Sequence, residues 1–257
     1  ARPDPDRRPD PEAGAKMTLG EPVGGFRPRL IRVAIAIGIG VIVGWILYPS
    51  VVDFLVEPYQ SITPDASLYA TDLLQGFAIR VQTSLFLAVV LAMPVILWQI
   101  WRFVTPGLYD HERRYAIPFV FAALLLFVLG ACIAYYTLPA AIEFLISVAG
   151  ADIEFIPTID SYLKLNMFMM LAFGIGMEFP VLLVALQLVG VLKPGQLAKW
   201  RRQAIVLIAV LAAVITPSGD PISLAALAVP MYICYEVSIL IGWIFQRRRA
   251  RAAADPA

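Results

Sequence analysis

Long apolar stretches separated by short polar connections dominate the chain. A helix needs about 20 mostly apolar residues to cross the hydrocarbon core of a bilayer, and several of these stretches have that length. We therefore predict an all-α polytopic membrane protein with six transmembrane helices. The predicted helices cover residues 30–48, 77–101, 114–138, 162–189, 203–216 and 222–245.

The fifth apolar stretch, residues 203–216, is unusually short. Its length of about 21 Å as a helix is less than the hydrocarbon thickness of about 30 Å, so we expect local bilayer thinning or shelter by neighbouring helices. Four prolines fall inside predicted helices, where bends are tolerated if neighbouring groups bond the freed carbonyls. They are Pro94, Pro118, Pro180 and Pro230.

Basic residues alternate between the connections. Residues 49–75 and 139–161 contain acidic residues but no Lys or Arg, whereas the segment before the first helix, the second and fourth connections and the C-terminal tail are basic. Because basic loops stay in the cytoplasm, we predict a multi-pass protein of the cell membrane with both termini cytoplasmic. The expected organisation is a disordered cytoplasmic tail over residues 1–25, a six-helix domain over 26–246 and a basic cytoplasmic tail over 247–257.

The composition excludes several classes of protein. Hydrophobic residues make up 60% of the 257 residues and charged residues 15%, and the mean hydropathy of +0.78 argues against a water-soluble enzyme. The formal net charge of +1 gives no general attraction to nucleic acid. The single histidine, His111, and the absence of known catalytic and metal-binding motifs predict no enzymatic activity, no cofactor and no metal site.

Glu178, Glu236 and Arg80 are charged side chains within predicted helices, where ionisation is costly without a polar neighbour. Glu178 is central in the fourth helix, and three interpretations stay open: a hydrogen-bonded structural carboxyl, a proton-relay group, or a docking point for another transmembrane helix. Glu236 lies nearer the cytoplasmic end of the sixth helix, which favours a structural or snorkelling role. Arg80 either snorkels outward or pairs with Asp72 or Asp220.

The connection between the second and third helices has the richest local pattern. It combines a Pro-Gly turn and aromatic residues with Glu112, a carboxylate beside Arg113 and Arg114. A carboxylate next to an apolar surface can bind a guanidinium group through two hydrogen bonds. The alternative is that Glu112 only neutralises the two neighbouring arginines.

Several ordered motifs in the chain resemble those of the TatC family, the polytopic receptor subunit of the twin-arginine protein translocase. The loop carries F-x-x-P-G-L-Y-x-x-E-R-R from Phe103 to Arg114, and M-P-V-I-L-W-Q-I-W precedes it. Further matches are F-G-I-G-M-E-F-P from Phe173 to Pro180 and I-T-P-S-G-D-P from Ile215 to Pro221. The resemblance covers residues 26–246.

The resemblance implies a receptor that binds the twin-arginine signal peptides of folded precursor proteins. Glu112, Phe103 and Arg27 would contact the signal peptide, and Glu178 and Asp220 would form polar docking positions for partners. The family's cupped helical bundle forms homo-oligomers within a hetero-complex with single-span TatA or TatB subunits, in the lipid bilayer, and the proton motive force drives transport. The rival hypothesis is a proton-coupled small-solute transporter that uses Glu178.

One departure from the family pattern affects the N-terminal segment. The family usually opens with H-L-x-E-L-R-x-R-L, but this chain has Pro22 in place of the histidine and Gly25 in place of the glutamate. The resemblance implies that a second carboxylate for the signal-peptide arginines is missing, with Glu21 as a possible substitute. The prolines and glycines here are also expected to loosen the helix.

Overall fold

The computed structural model describes residues 20–62, 68–104, 116–150 and 158–254, and nearly all of them are helical. Among these residues the only extended pairing is one bridge between Tyr69 and Thr158, so the prediction of an all-α fold is confirmed. The helices are α1 (Gly20–Ile62), α2 (Gln75–Val104), α3 (Ala116–Ala149), α4 (Ile159–Gly176), α5 (Glu178–Leu188), α6 (Pro194–Lys199), α7 (Arg201–Ile215) and α8 (Pro221–Ala254).

Five helical units in the described ranges are long and apolar enough to cross a membrane. They are α1, α2, α3, the α4–α5 pair and α8, which agrees with the predicted polytopic bundle. The fifth apolar stretch corresponds to α7, whose 15 residues extend only about 22 Å. The count of six transmembrane helices therefore stays a prediction at α7.

The first helix is longer at both ends than its apolar stretch. It begins at Gly20, within the region for which a disordered tail over residues 1–25 is predicted, and it passes through Gly25 without a break. Residues 1–19 lie outside the described part of the chain. The expected loosening by prolines and glycines does not interrupt the helical backbone from Gly20 onward.

Two prolines inside α1 have their freed carbonyl groups satisfied by neighbouring helices. Pro49 removes the hydrogen bond to the Trp45 carbonyl four residues earlier, and Arg80 of α2 donates to that oxygen at 3.2 Å. Pro58 similarly frees the carbonyl of Phe54, which accepts a hydrogen bond of 3.0 Å from the Tyr135 hydroxyl of α3. Side chains thus let α1 continue past residue 48, where its apolar stretch ends.

The four prolines inside the predicted helices differ in whether they interrupt the helix. Pro94 and Pro230 lie inside α2 and α8, which remain continuous. Pro118 lies in the first turn of α3, where a missing N–H costs no hydrogen bond. Only Pro180 is associated with a break, which separates α4 from α5.

Glycines allow α1 and α2 to pack closely, and their interface is the most extensive between any two described helices. A Cβ atom on Gly40 would lie 2.7 Å from the Ala88 Cα, and one on Gly44 would lie 2.7 Å from the Ser84 carbonyl oxygen. The pair has the four-residue spacing of close helix contacts in membranes. The opposite side of α1 exposes a row of isoleucines that suits contact with lipid: Ile35, Ile39, Ile42 and Ile46.

Candidate functional site

A break in the fourth apolar stretch determines where Glu178 is placed. Pro180 lacks the N–H that would bond the Gly176 carbonyl, so α4 ends at Gly176 and α5 begins at Glu178. Met177, between them, has φ −70° and ψ −11°, and its N–H bonds the Phe173 carbonyl at 3.0 Å. The pair remains one apolar span.

Glu178 lines an open cavity of about 560 Å³ inside the bundle. One of its carboxylate oxygens, Oε1, is buried, and no described group forms a hydrogen bond with it. The remaining lining is almost entirely apolar and comes from α2, α3, α4, α5, α7 and α8. Its members include Met93, Leu97, Phe119, Ile175, Leu211 and Met231.

This arrangement favours a polar partner from outside the chain. A buried polar atom without a hydrogen bond costs free energy, which a donor entering the cavity would recover. The apolar walls suit the side chains of another transmembrane helix. Among the described residues no cluster of three or more His, Cys, Asp or Glu side chains is arranged to hold a metal ion.

Asp220 caps the start of α8. Its Oδ1 accepts a hydrogen bond of 2.7 Å from the Ser223 N–H, its Oδ2 accepts one from the Ser218 hydroxyl, and Pro221 follows at the first helical position. The side chain is only 1% exposed. Burial raises the pKa of Asp220, but the hydrogen bonds from Ser218 and Ser223 outweigh burial and hold this pKa below its usual value.

Glu236 has a partner that the sequence did not reveal. Its two carboxylate oxygens accept hydrogen bonds from the Arg201 guanidinium, at 2.8 Å from Nε and 2.9 Å from the terminal nitrogen. The Tyr232 hydroxyl donates a third hydrogen bond of 3.0 Å. This group joins the first residue of α7 to the middle of α8, so Glu236 has a structural role in the subunit.

Arg80 does not pair with either of the carboxylates considered for it, Asp72 and Asp220. Instead it donates to the Trp45 carbonyl, and its guanidinium group lies against the rings of Trp45 and Tyr48. An aromatic face attracts a cation through its quadrupole. The sequence alone did not predict this contact, because Tyr48 and Trp45 precede Arg80 by 32 and 35 positions.

Of the three side chains expected to contact a signal peptide, those of Glu112 and Phe103 lie outside the described part of the chain. Phe103 belongs to the last turn of α2, whereas Arg27 is exposed on α1. The structure therefore does not test whether these three side chains lie close together. It places Glu178 and Asp220 in different surroundings.

Known proteins resemble this chain over most of its length. The family model described as Sec-independent protein translocase protein (TatC) matches residues 23–230. The Sec-independent protein translocase protein TatC of Frankia casuarinae is 38% identical over 249 residues, covering 92% of this chain and 68% of that protein. The TatC of Aquifex aeolicus is 36% identical over 236 residues, covering 91% and 98%.

The fold agrees with a solved structure as well. A crystal structure of the twin-arginine translocase receptor TatC in DDM superposes with a TM-score of 0.74 and 36% sequence identity, covering 86% of this chain and 99% of the other. This chain therefore belongs to the TatC family of Sec-independent protein translocase proteins.

Proposed function

We propose that this translocase subunit binds the twin-arginine signal peptides of folded precursor proteins and recruits single-span TatA- or TatB-type subunits. The main support for partner recruitment is the Glu178 oxygen, which has no hydrogen-bond partner among the described residues and lies in an open apolar cavity. Signal-peptide binding is supported by similarity to a twin-arginine translocase receptor and by the Phe103–Arg114 motif.

Recruitment would proceed by insertion of a partner helix at the cavity. An amide or hydroxyl group on that helix would donate to Glu178, while its apolar neighbours would contact Phe119 and Leu211. Asp220 contributes by fixing the start of α8, which forms part of the wall. The assembly would contain several copies of this chain, and the proton motive force would drive export.

The proposed topology places both termini in the cytoplasm of the cell and includes α7 as a sixth, short transmembrane helix. The Arg201–Glu236 pair supports this arrangement, because it anchors the start of α7 against α8. Cysteines introduced at Ser61 and Ser147 should react with an external label, whereas one at Gln196 should react only after permeabilisation. The opposite pattern at any of the three would contradict the topology, provided that Cys132 and Cys234 are replaced first.

The proposed signal-peptide site consists of Glu112, Phe103 and Arg27 on the cytoplasmic side. Glu112 would form a bidentate contact with a guanidinium of the signal peptide, a geometry that lysine cannot reproduce. Because Gly25 replaces the family's second carboxylate, Glu112 would be the main anionic contact.

The decisive experiment measures binding of a twin-arginine peptide and a twin-lysine peptide to the purified protein in detergent. Glu112→Ala should weaken twin-arginine binding by about tenfold or more, which corresponds to the loss of a charge-assisted hydrogen bond. Asp110→Ala, in the same loop, is the matched control and should bind as the parent does. Gly25→Glu should strengthen binding to the arginine peptide more than to the lysine peptide.

Unchanged affinity in Glu112→Ala would remove the receptor assignment for this loop. Family membership in a protein translocase gives no support to the rival solute transporter, and no contact in the described residues favours it.

A further inference from the structure

Arg80 lies at the level where one surface of the bilayer is expected. It precedes Arg102 by 22 positions on the same helix, a separation of about 33 Å. The hydrocarbon core is about 30 Å thick, so when Arg102 lies at one surface, Arg80 reaches the head groups of the opposite leaflet. This placement follows from the length of α2 and from the position of Arg102 at the other surface.

The guanidinium group of Arg80 carries a charge that no described carboxylate neutralises. Its described side-chain hydrogen bond goes from a terminal nitrogen to the uncharged Trp45 carbonyl at 3.2 Å. Its Nε atom also has no hydrogen-bond partner, but this atom is buried. The guanidinium carbon lies 4.4 Å from the centre of the Trp45 ring and 5.2 Å from that of Tyr48. These rings fix the orientation of the guanidinium group, and its terminal nitrogens carry further donors that can bind an anion.

The residues around Arg80 are suited to contact with lipid. Leu73, Leu74 and Phe77 are 100%, 73% and 66% exposed, and they lie just before or at the start of α2. The Phe77 ring stands edge-on to Trp45, with 6.2 Å between the ring centres. Tryptophan and tyrosine are enriched at the membrane interface, where one end of the ring is apolar and the other is hydrated.

We propose that Arg80, held by Trp45 and Tyr48, binds the phosphate group of a membrane phospholipid. The phosphodiester accepts hydrogen bonds from the free guanidinium donors, and an acyl chain of the same lipid covers Phe77 and Leu74. A phospholipid suits both the charged and the apolar part of the site. Its phosphate lies at the depth of the Arg80 guanidinium, and its acyl chain covers the exposed Phe77 and Leu74 side chains.

Native mass spectrometry of the purified protein in detergent tests this site. Phosphatidylglycerol is titrated against the parent, Arg80→Gln and Lys164→Gln, the last being a control because Lys164 is already paired with Asp160 at 2.7 Å. Arg80→Gln should bind the first phosphatidylglycerol molecule about tenfold more weakly, as expected for the loss of a charge-assisted contact. Lys164→Gln should bind it as the parent does.

Two further ligands and one further variant separate the alternatives. A galactosyl diacylglycerol, which has the acyl chains but no phosphate, should bind the parent weakly and should not distinguish Arg80→Gln. Inorganic phosphate should not compete, because it lacks the chains. Arg80→Lys retains the charge and should bind phosphatidylglycerol with intermediate affinity, which keeps the test usable if Arg80→Gln loses helicity.

Equal phosphatidylglycerol affinity in the parent and Arg80→Gln would overturn the proposal. So would equal affinity of the parent for the glycolipid, since the site would then recognise only apolar chains. A third outcome would also overturn it: the parent co-purifies with another protein, Arg80→Gln does not, and lipid binding is the same in both. Arg80 would then bind a carboxylate of that protein instead of a phospholipid. The proposal is independent of signal-peptide binding and of partner recruitment.

Discussion

Two carboxylates within the apolar spans, Glu178 and Glu236, are placed in opposite ways. Glu236 is held by both ends of a guanidinium fork and by the Tyr232 hydroxyl, all from its own chain. Glu178 faces an apolar cavity with one buried oxygen unbonded by any described group. Glu236 therefore joins two helices of the subunit, whereas one oxygen of Glu178 has no partner among the described residues.

The difference separates structural acids from candidate interaction sites in a membrane protein. An acid in a span is costly in either role, so its presence alone does not indicate its function. The partners of the acid indicate its role. Where the chain supplies a cation, as Arg201 does, the acid joins two helices, and where no described group bonds the acid, a donor from another molecule can recover free energy.

The largest expected effect is on partner assembly at Glu178. Glu178→Ala should reduce co-purification of a single-span partner by about tenfold, whereas Glu178→Gln should retain part of it because an amide still forms hydrogen bonds. Glu236→Ala is the control and should assemble normally. Equal and complete loss in both Glu178 variants would favour proton transfer over docking.

Asp220 extends the comparison to an acid that is held by hydrogen bonds without a cation. Asp220→Ala should lower the free energy of unfolding by about 1 kcal/mol through loss of the cap, while Asp220→Asn should lose less. Thermal unfolding in detergent measures both. An Ala variant as stable as the parent would show that the cap does not stabilise α8.

The stability of the parent should also depend on pH through Asp220. Because the folded pKa of Asp220 lies below the unfolded value of about 3.9, its contribution is present above about pH 4 and is lost as the pH falls through the folded pKa. Asp220→Asn, which does not titrate, should show a smaller fall in melting temperature over this range. Identical pH profiles would contradict the assignment.

A smaller effect is expected at the Arg201–Glu236 pair, because both side chains are partly exposed. Arg201→Gln and Glu236→Gln should each lower the melting temperature by about 2 °C, and the double variant should lose little more than either. Fully additive losses would show that the two side chains do not act as a pair.

The smallest effect is expected at Tyr232, whose hydroxyl adds one hydrogen bond to a carboxylate that already has two. Tyr232→Phe should leave the melting temperature within about 1 °C of the parent, since a single solvent-accessible hydrogen bond contributes little net free energy. A loss as large as that of Glu236→Gln would mean that the hydroxyl, and not Arg201, determines how Glu236 is held.

Hydropathy predicted the helices well because it reports on the apolar stretches that must lie in lipid. Each of the six stretches is helical over most of its described residues, but the helix ends were not predictable. The first helix continues past residue 48 because Arg80 and Tyr135 bond carbonyls freed by Pro49 and Pro58. Because these hydrogen bonds come from other helices, no local sequence pattern in α1 predicts them.

The site was predictable only in part for the same reason. The position of Glu178 in an apolar stretch marked it as unusual, and the contacts of the chain now show that no described group satisfies its buried oxygen. The pairing of Arg201 with Glu236 spans 35 positions and requires the packing of α7 on α8 to be known. Glu112 stays a prediction from its motif.

The close packing of α1 on α2 at Gly40 and Gly44 bears on how the protein is made. Its two partners are consecutive in the chain, so the hairpin needs no residue beyond Val104 to form. The pair can assemble as soon as both helices have left the ribosome and entered the membrane, before α3 packs against them. Newly made chains would then carry a finished hairpin onto which the later helices are added one after another.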